Sequence, residues 1–280
     1  MNMAVNQAEF AIPVFDGPQP RAFVPMRHPD RAPLRLQPAK ALRLFNAFKR
    51  DKEQTYLAFS VFNALPWTRV DAAASRFLAT PEGRRIYESE PSLPEILDDH
   101  ATLRRMPKGS LAQDYCDFME REGLSAAGLV AEYELCREGR PRIDDRIEWY
   151  VDRLRDSHDF LHILTGFGRD ALGEQCVLAF VFKQRPSWGH LFIAYAGAVV
   201  TRRCTGTRAP VLRAVREAQL IGRSCPPIAE QSIRDLLPLQ TDDIRRKFGL
   251  RPARLYGEVH RIWHQEGLDP HMVATQCGLV

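Results

Sequence analysis

Apolar residues recur along this chain at steps of three and four, with no sustained alternation, which predicts helices rather than strands. The stretches 36–50, 53–65 and 68–80 each present one apolar face and read as the first three helices, the third ended by Pro81 and Gly83. Residues 93–106 form a fourth that stops before "PKGS". Ser110 then caps a fifth over 111–123, because its hydroxyl can accept a free amide hydrogen of the first turn. The strongest pattern covers 142–166, where Ile147, Val151, Leu154, His158, Leu161 and Thr165 draw one stripe down one helix. From Pro210 onward the chain reads as shorter helices punctuated by Pro226, Pro227, Pro238, Gly249 and Pro252, and no internal repeat is visible. The predicted fold class is therefore all-α: a single helical domain over 39–280, preceded by an extended, partly disordered, proline-rich arm over 1–38.

At 280 residues and 45% hydrophobic composition the chain can bury a substantial core. Its most apolar runs, 176–182 and 191–200, fall short of the roughly twenty consecutive residues needed to cross a bilayer, so a soluble or peripheral protein is expected. The net charge of +4 and a pI near 8.8 could favour an anionic membrane surface or an acidic ligand, but are too weak to make nucleic acid a partner. Only six of the 39 basic residues are lysine, a bias that a GC-rich genome explains as well as any function. The six cysteines lack CxxC spacing and read as reduced thiols, which points to a cytoplasm. The first residues lack a charged start leading into an apolar run, so neither a secretory signal nor a transit peptide is predicted.

The richest chemistry lies in "SHDFLHILTGFGRDALGE", residues 157–174. A helix turns about 100° per residue, so His158 and His162 project about 40° apart, with Asp159 about 100° from His158. Gly166 and Gly168 break that helix, the first suited to a left-handed cap, and the chain restarts near Gly173 so that Glu174 can swing back toward the histidines. Two imidazoles and two carboxylates facing one another across consecutive helices suit one divalent metal: zinc first, with iron, manganese or cobalt as alternatives. An ordinary core with carboxylate-paired histidines explains the same letters, although His158, placed in the apolar stripe, should be neutral or bound to something. Weaker candidates are Lys108, Ser110 and Tyr115 at a helix start, where capping is the preferred role; His260 and His264, which suggest a solvated face; and Trp188, placed in the core rather than in a lipid groove. Neither a phosphate loop nor a nucleophile elbow is present.

His158-Asp159-x-x-His162, eleven residues and then Glu174 resemble the metal-binding signature of the coenzyme Q biosynthesis protein 4 family. The segment "YVDRLRDSHDFLHILTGFG" is similar to that family's helix leading into its metal motif, and "TPEGRRIYESEPSL" (80–93) and "LRRMPKGSLAQDYCDFM" (103–119) resemble its other recurrent blocks, in order. The likeness extends over about residues 38–265. Ala112 departs from it, standing where the family commonly has glycine, and the stretch after Glu174 diverges. The resemblance implies an all-helical, peripheral membrane protein of ubiquinone synthesis, located on the cytoplasmic side of a bacterial inner membrane. It implies a metal held by His158, Asp159, His162 and Glu174, and oxidative decarboxylation at ring carbon one of a polyprenylated 4-hydroxybenzoate-type lipid. The pathway's other enzymes are the implied partners, and a homodimer stays open.

A prenyl tail needs an apolar groove, which Phe180, Phe182, Leu191, Phe192 and Tyr195 could supply. Two rival readings remain: a non-enzymatic lipid-presenting scaffold in which the metal joins two helices, and a zinc peptidase. The second is weakened by Asp159, one carbon shorter than the glutamate that activates water in HExxH enzymes. Four protein ligands on zinc would also close the site to substrate, as in structural zinc centres.

Overall fold

The computed structural model describes residues 24–49, 55–137 and 141–273, and every regular element among them is helical. Helices α1 (Pro38–Phe48) and α2 (Thr55–Ala64) pack as a hairpin. α3 (Val70–Ala79) is followed at once by α4 (Pro81–Ser89), because Thr80 turns the chain and caps the next helix by accepting from the Gly83 amide at 2.9 Å. Pro81, expected as a stop, instead takes the first-turn position where a missing amide hydrogen costs nothing. The predicted helix over 93–106 is two short ones, α5 (Leu93–Leu97) and α6 (His100–Leu103), separated because Asp99 caps the second. α7 (Leu111–Glu122) starts at Ser110 as expected, and α8 (Ala126–Leu135), not anticipated, starts at Ser125.

The long helix expected over 142–166 is also two: α9 (Arg146–Asp156), capped by Asp145, and α10 (His158–Thr165), with Ser157 between them. In a continuous helix the Leu154 carbonyl would accept from the His158 amide. Here it accepts from Arg185 Nη1 at 2.8 Å, and the axis breaks. α11 (Ala171–Gln184), α12 (Trp188–Thr205) and α13 (Val211–Ser224) follow, then α14 (Ile233–Leu236), α15 (Thr241–Lys247) and α16 (Arg254–Gln265). At fourteen residues α13 exceeds the short helices expected after Pro210.

α11 is the centre of the domain, flanked by α12 and α13. Its residues Leu172, Cys176, Val177, Ala179 and Phe180 are shut off from solvent, and α13 lies so close that a methyl group on Gly222 would stand 2.2 Å from the Phe180 carbonyl oxygen. A smaller cluster of Val70, Phe77, Ile86, Tyr87, Ile147 and Tyr150 joins α3 and α4 to α9. Residues 24–37 run as irregular chain against α9: Arg31 bridges Asp145 and Glu148, and the Arg146 amide donates to the Pro25 carbonyl. The rest of the N-terminal arm, residues 1–23, lies outside the described residues. Cys204 is disulfide-bonded, which corrects the expectation of six reduced thiols, whereas Cys116, Cys176 and Cys225 are free and buried and Cys136 is buried against Asn63.

One ion pair ties these parts together. Arg153 on α9 donates to the Glu90 carboxylate at 2.7 Å and to the carbonyls of Ala229 and Gln231. Glu90 also accepts from Ser232 Oγ and from the amides of Ile233 and Arg234, so both buried charges are compensated. Glu90→Ala leaves the Arg153 guanidinium buried and unpaired and is predicted to lower unfolding free energy by about 3–5 kcal/mol in a urea titration. A loss within about 0.5 kcal/mol would place the guanidinium in water.

Candidate metal centre

α10 opens on His158 and carries His162 one turn later, so both imidazoles point to one side. The far end of α10 is held firmly. Gly166 adopts φ 76°, the left-handed cap expected from sequence, and Arg245 donates to the last free carbonyls, Leu164 at 3.1 Å and Ile163 at 2.7 Å. The chain restarts at Asp170, three residues before the Gly173 that the sequence suggested. Its carboxylate accepts from the Leu172 and Gly173 amides and also bonds Tyr256 OH and His260 Nε2, and these partners hold it below the usual carboxylate range against the cost of burial. Tyr256 OH in turn accepts from the Gly168 amide at 2.9 Å. A methyl group on Gly173 would stand 1.9 Å from the Gly168 carbonyl oxygen, so only glycine lets the first turn of α11 come this near.

That approach delivers Glu174 to the histidines. His158 Nε2 and His162 Nε2 are 3.2 Å apart, and Glu174 Oε2 lies 3.7 Å from the first and 3.6 Å from the second. Donors bonded to one divalent ion at about 2.1 Å in a tetrahedral arrangement stand about 3.4 Å from each other, so the three atoms fit such an ion. His162 Nδ1 is 3.0 Å from the Phe167 carbonyl, which can only accept; the ring proton therefore sits on Nδ1 and the Nε2 lone pair is free for a metal. His162 is fully buried under Phe118, whereas His158, expected within the apolar stripe, is 23% exposed at its side chain. Desolvation opposes charge on Glu174, yet His162 and His158 hold its carboxyl well below the usual range. Burial lowers His162, but Glu174 and the Phe167 carbonyl outweigh it and raise the ring above the ordinary histidine value.

Asp159 stands outside this group of three, since the helix carries it round to a different side of α10. Burial pushes its carboxyl up, with His158 and His162 pulling it down. The three gathered donors could hold one divalent ion.

His158, Asp159 and Glu174 line a cavity of about 930 Å³ whose apolar wall includes Phe45, Phe59, Phe62, Ile193 and Val200. The inner face of α12 presents Ser187, His190, Ile193, Gly197 and Val200, a helical spacing that sequence reading could have found. None of the five residues expected to form the groove lines it. Phe180 is buried against α13, Phe182 packs on Trp188, Phe192 meets Phe45 edge-on, Tyr195 donates to Gln219, and Leu191 is half-buried. Trp188, expected in the core, is 54% exposed, and His260, expected on a solvated face, is half-buried against Asp170, while His264 is exposed. Ser110 caps α7, and Tyr115 is buried against Phe160.

The fold and this donor set define an all-helical protein with a candidate divalent-metal centre at the floor of an apolar-walled cavity. The family model of Coenzyme Q (ubiquinone) biosynthesis protein Coq4 matches residues 52–253, and the chain belongs to that family. Among curated relatives, the mitochondrial ubiquinone biosynthesis protein COQ4 of Pyricularia oryzae is 28% identical over 180 residues, covering 64% of this chain and 56% of the relative. The mitochondrial protein coq4 of Talaromyces stipitatus is also 28% identical, over 195 residues, covering 68% of this chain and 63% of the relative. The chain thus spans between 56% and 63% of the length of these relatives. The crystal structure of a Nostoc punctiforme protein with a proposed role in ubiquinone biosynthesis shares the fold with TM-score 0.50 at 18% identity, covering 78% of this chain and all of that one. Among the described residues no helix is long and apolar enough to cross a membrane.

Two outcomes test the centre. His162→Ala is predicted to weaken zinc binding by more than about 100-fold in a competitive chelator titration, since it removes a donor outright. An unchanged affinity would show that the metal binds elsewhere. Zinc affinity of the unmutated chain should also fall on acidification, by about tenfold per pH unit for each imidazole that must lose a proton. Because His162 is raised, this decline should begin above the ordinary histidine range; a flat profile from pH 8 to 5.5 would contradict histidine ligation.

Proposed function

We propose that the chain carries out the oxidative decarboxylation of a polyprenylated 4-hydroxybenzoate-type ring at carbon one during ubiquinone synthesis. Family membership supports the pathway, and the observation that supports the chemistry is the continuity of the donor cluster with a cavity of about 930 Å³ that has an apolar wall. In the reaction the bond between ring carbon one and the carboxylate breaks, carbon dioxide leaves, and its electron pair stays on the ring. One atom of dioxygen becomes the new hydroxyl, and the other leaves as water with two electrons from a reductant outside the chain. A divalent ion held by His158, His162 and Glu174, zinc first with iron, manganese or cobalt as alternatives, would supply Lewis-acid polarisation of a ring oxygen.

The chain's own residues do the rest. Phe45, Phe59, Phe62 and Ile193 take the prenyl tail, each Å² of apolar surface removed from water contributing about 25 cal/mol. The same wall keeps water from the ring, which strengthens every electrostatic contact at the cavity floor. The Phe167 carbonyl fixes His162 in one tautomer, and Asp159, buried beside the two histidines with its carboxyl pushed up by burial, is the proposed proton carrier. Leu34 lines the cavity and, with Leu36 and Leu42, is an exposed apolar residue on the α1 side, a suitable face for peripheral membrane contact and lipid entry. The pathway's other enzymes are the proposed partners.

The scaffold reading needs the metal to join α10 and α11, but Asp170, Tyr256 and Arg245 already secure that corner. In cells whose sole copy carries Glu174→Ala, folded and present at normal level, mass spectrometry is predicted to find an accumulated prenylated ring that still bears its carboxylate, and loss of the finished quinone. A normal lipid profile would refute the enzymatic reading.

A further inference from the structure

The cavity holds a second chemical feature besides the three metal donors. Four arginines line it, and three have carboxylate neighbours: Arg31 pairs with Asp145 and Glu148, Arg155 with Asp152 and Asp156, and Arg169 lies 3.7 Å from Glu174. Arg185 has no carboxylate partner among the described residues. Its Nη1 donates to the neutral Leu154 carbonyl at 2.8 Å, and its Nε is buried without an acceptor. Burial pulls the guanidinium down to about 10, which leaves it charged at neutral pH. A buried cation without a counter-charge is costly, and the cost is offset where a ligand brings the missing anion.

The neighbourhood is arranged for the same ligand. Arg185 lies two residues before Ser187, where the eighteen-residue α12 begins, and the positive end of that helix favours an anion. His190, on the first turn of α12, is stacked on Phe62 with ring centroids 4.1 Å apart; desolvation and Arg185 keep it neutral, and its buried Nδ1 also lacks a partner. Both unsatisfied atoms belong to residues that line the cavity, as do the unpartnered Glu132 Oε2 and Gln175 Oε1. Nη1 of Arg185 is taken by Leu154 and its Nε is shut off, which leaves Nη2 to donate to a carboxylate through a charge-assisted hydrogen bond.

We infer that Arg185 recognises the ring carboxylate of the substrate, with His190 beside it in the same subsite. This rests on the function proposed above. It gives the residue a definite consequence: the carboxylated ring supplies the anion that Arg185 lacks, the decarboxylated product does not, and the grip is lost once carbon dioxide has gone. The ring's other oxygens are then free to face His158, His162 and Glu174.

The test compares two probes that differ by the carboxylate alone, 3-geranyl-4-hydroxybenzoate and 2-geranylphenol, by calorimetric titration of the zinc-loaded full chain. The unmutated chain should prefer the benzoate by about 10- to 100-fold, the range of a charge-assisted hydrogen-bonded pair. Arg185→Gln should bring the preference near unity while the phenol affinity and zinc content stay as they were. Arg185→Lys, which keeps the charge but not the planar guanidinium and its reach, should fall between. If Arg185→Gln retained the full preference, or lost affinity for both probes in equal proportion, the inference would be overturned while the proposed function stood. If neither probe bound the unmutated chain, both would fall. Should Arg185→Gln not fold, because Leu154 loses its donor, Arg185→Lys decides: a reduced preference supports the assignment and an unchanged one overturns it.

Discussion

The site depends on one steric constraint, the approach of the first turn of α11 to the backbone of Gly168. A side chain at Gly173 would stand 1.9 Å from the Gly168 carbonyl oxygen, so any other residue there would drive the two helices apart. Separation would carry Glu174 away from His158 and His162, both of which stand on α10. The contact persists because the corner is tied from several directions. Asp170 caps α11 and reaches Tyr256 and His260 on α16, Tyr256 bonds the Gly168 amide, and Arg245 on α15 closes the end of α10. The C-terminal helices, which carry none of the metal donors, thus fix the spacing of those donors.

Charge is distributed with the same economy. Arg153 is matched with Glu90 away from the cavity, and Arg155 at its wall with Asp152 and Asp156, as the low dielectric of a protein interior demands. Along the cavity the matching is incomplete. His158, His162 and Glu174 turn three metal-ligating atoms toward one another, and Arg185 lines the cavity without an acid among the described residues. A cation among the first set and an anion beside the second would complete both. Arg185 has a structural role as well, since its bond to Leu154 interrupts the helix that would otherwise run on into α10. The break that gives His158 its place at the start of α10 is thereby linked to the residue assigned to the carboxylate.

Much of this was legible in the sequence. Periodicity identified an all-helical chain, Ser110 and Gly166 behaved as caps, and the spacing of His158, His162 and Glu174 brought three donors to one place. What could not be read has a common cause. Local pattern continued a helix across Ser157 because the competing donor for Leu154 comes from Arg185, thirty-one residues away. Hydrophobicity selected Phe180, Phe182, Leu191, Phe192 and Tyr195 for the groove, yet which face of α11 or α12 meets the cavity is decided by α13, whose Gly222 packs against Phe180 of α11. Asp159 shares the motif with the histidines, but one residue of helical rotation sets it apart from them.

The central claim is that one divalent ion occupies the space between α10 and α11. Anomalous diffraction from crystals grown with one equivalent of zinc tests it most directly. A single peak within about 2.3 Å of His158 Nε2, His162 Nε2 and Glu174 Oε2 is predicted. A peak confined to other side chains, or none at all at full stoichiometry, would contradict it.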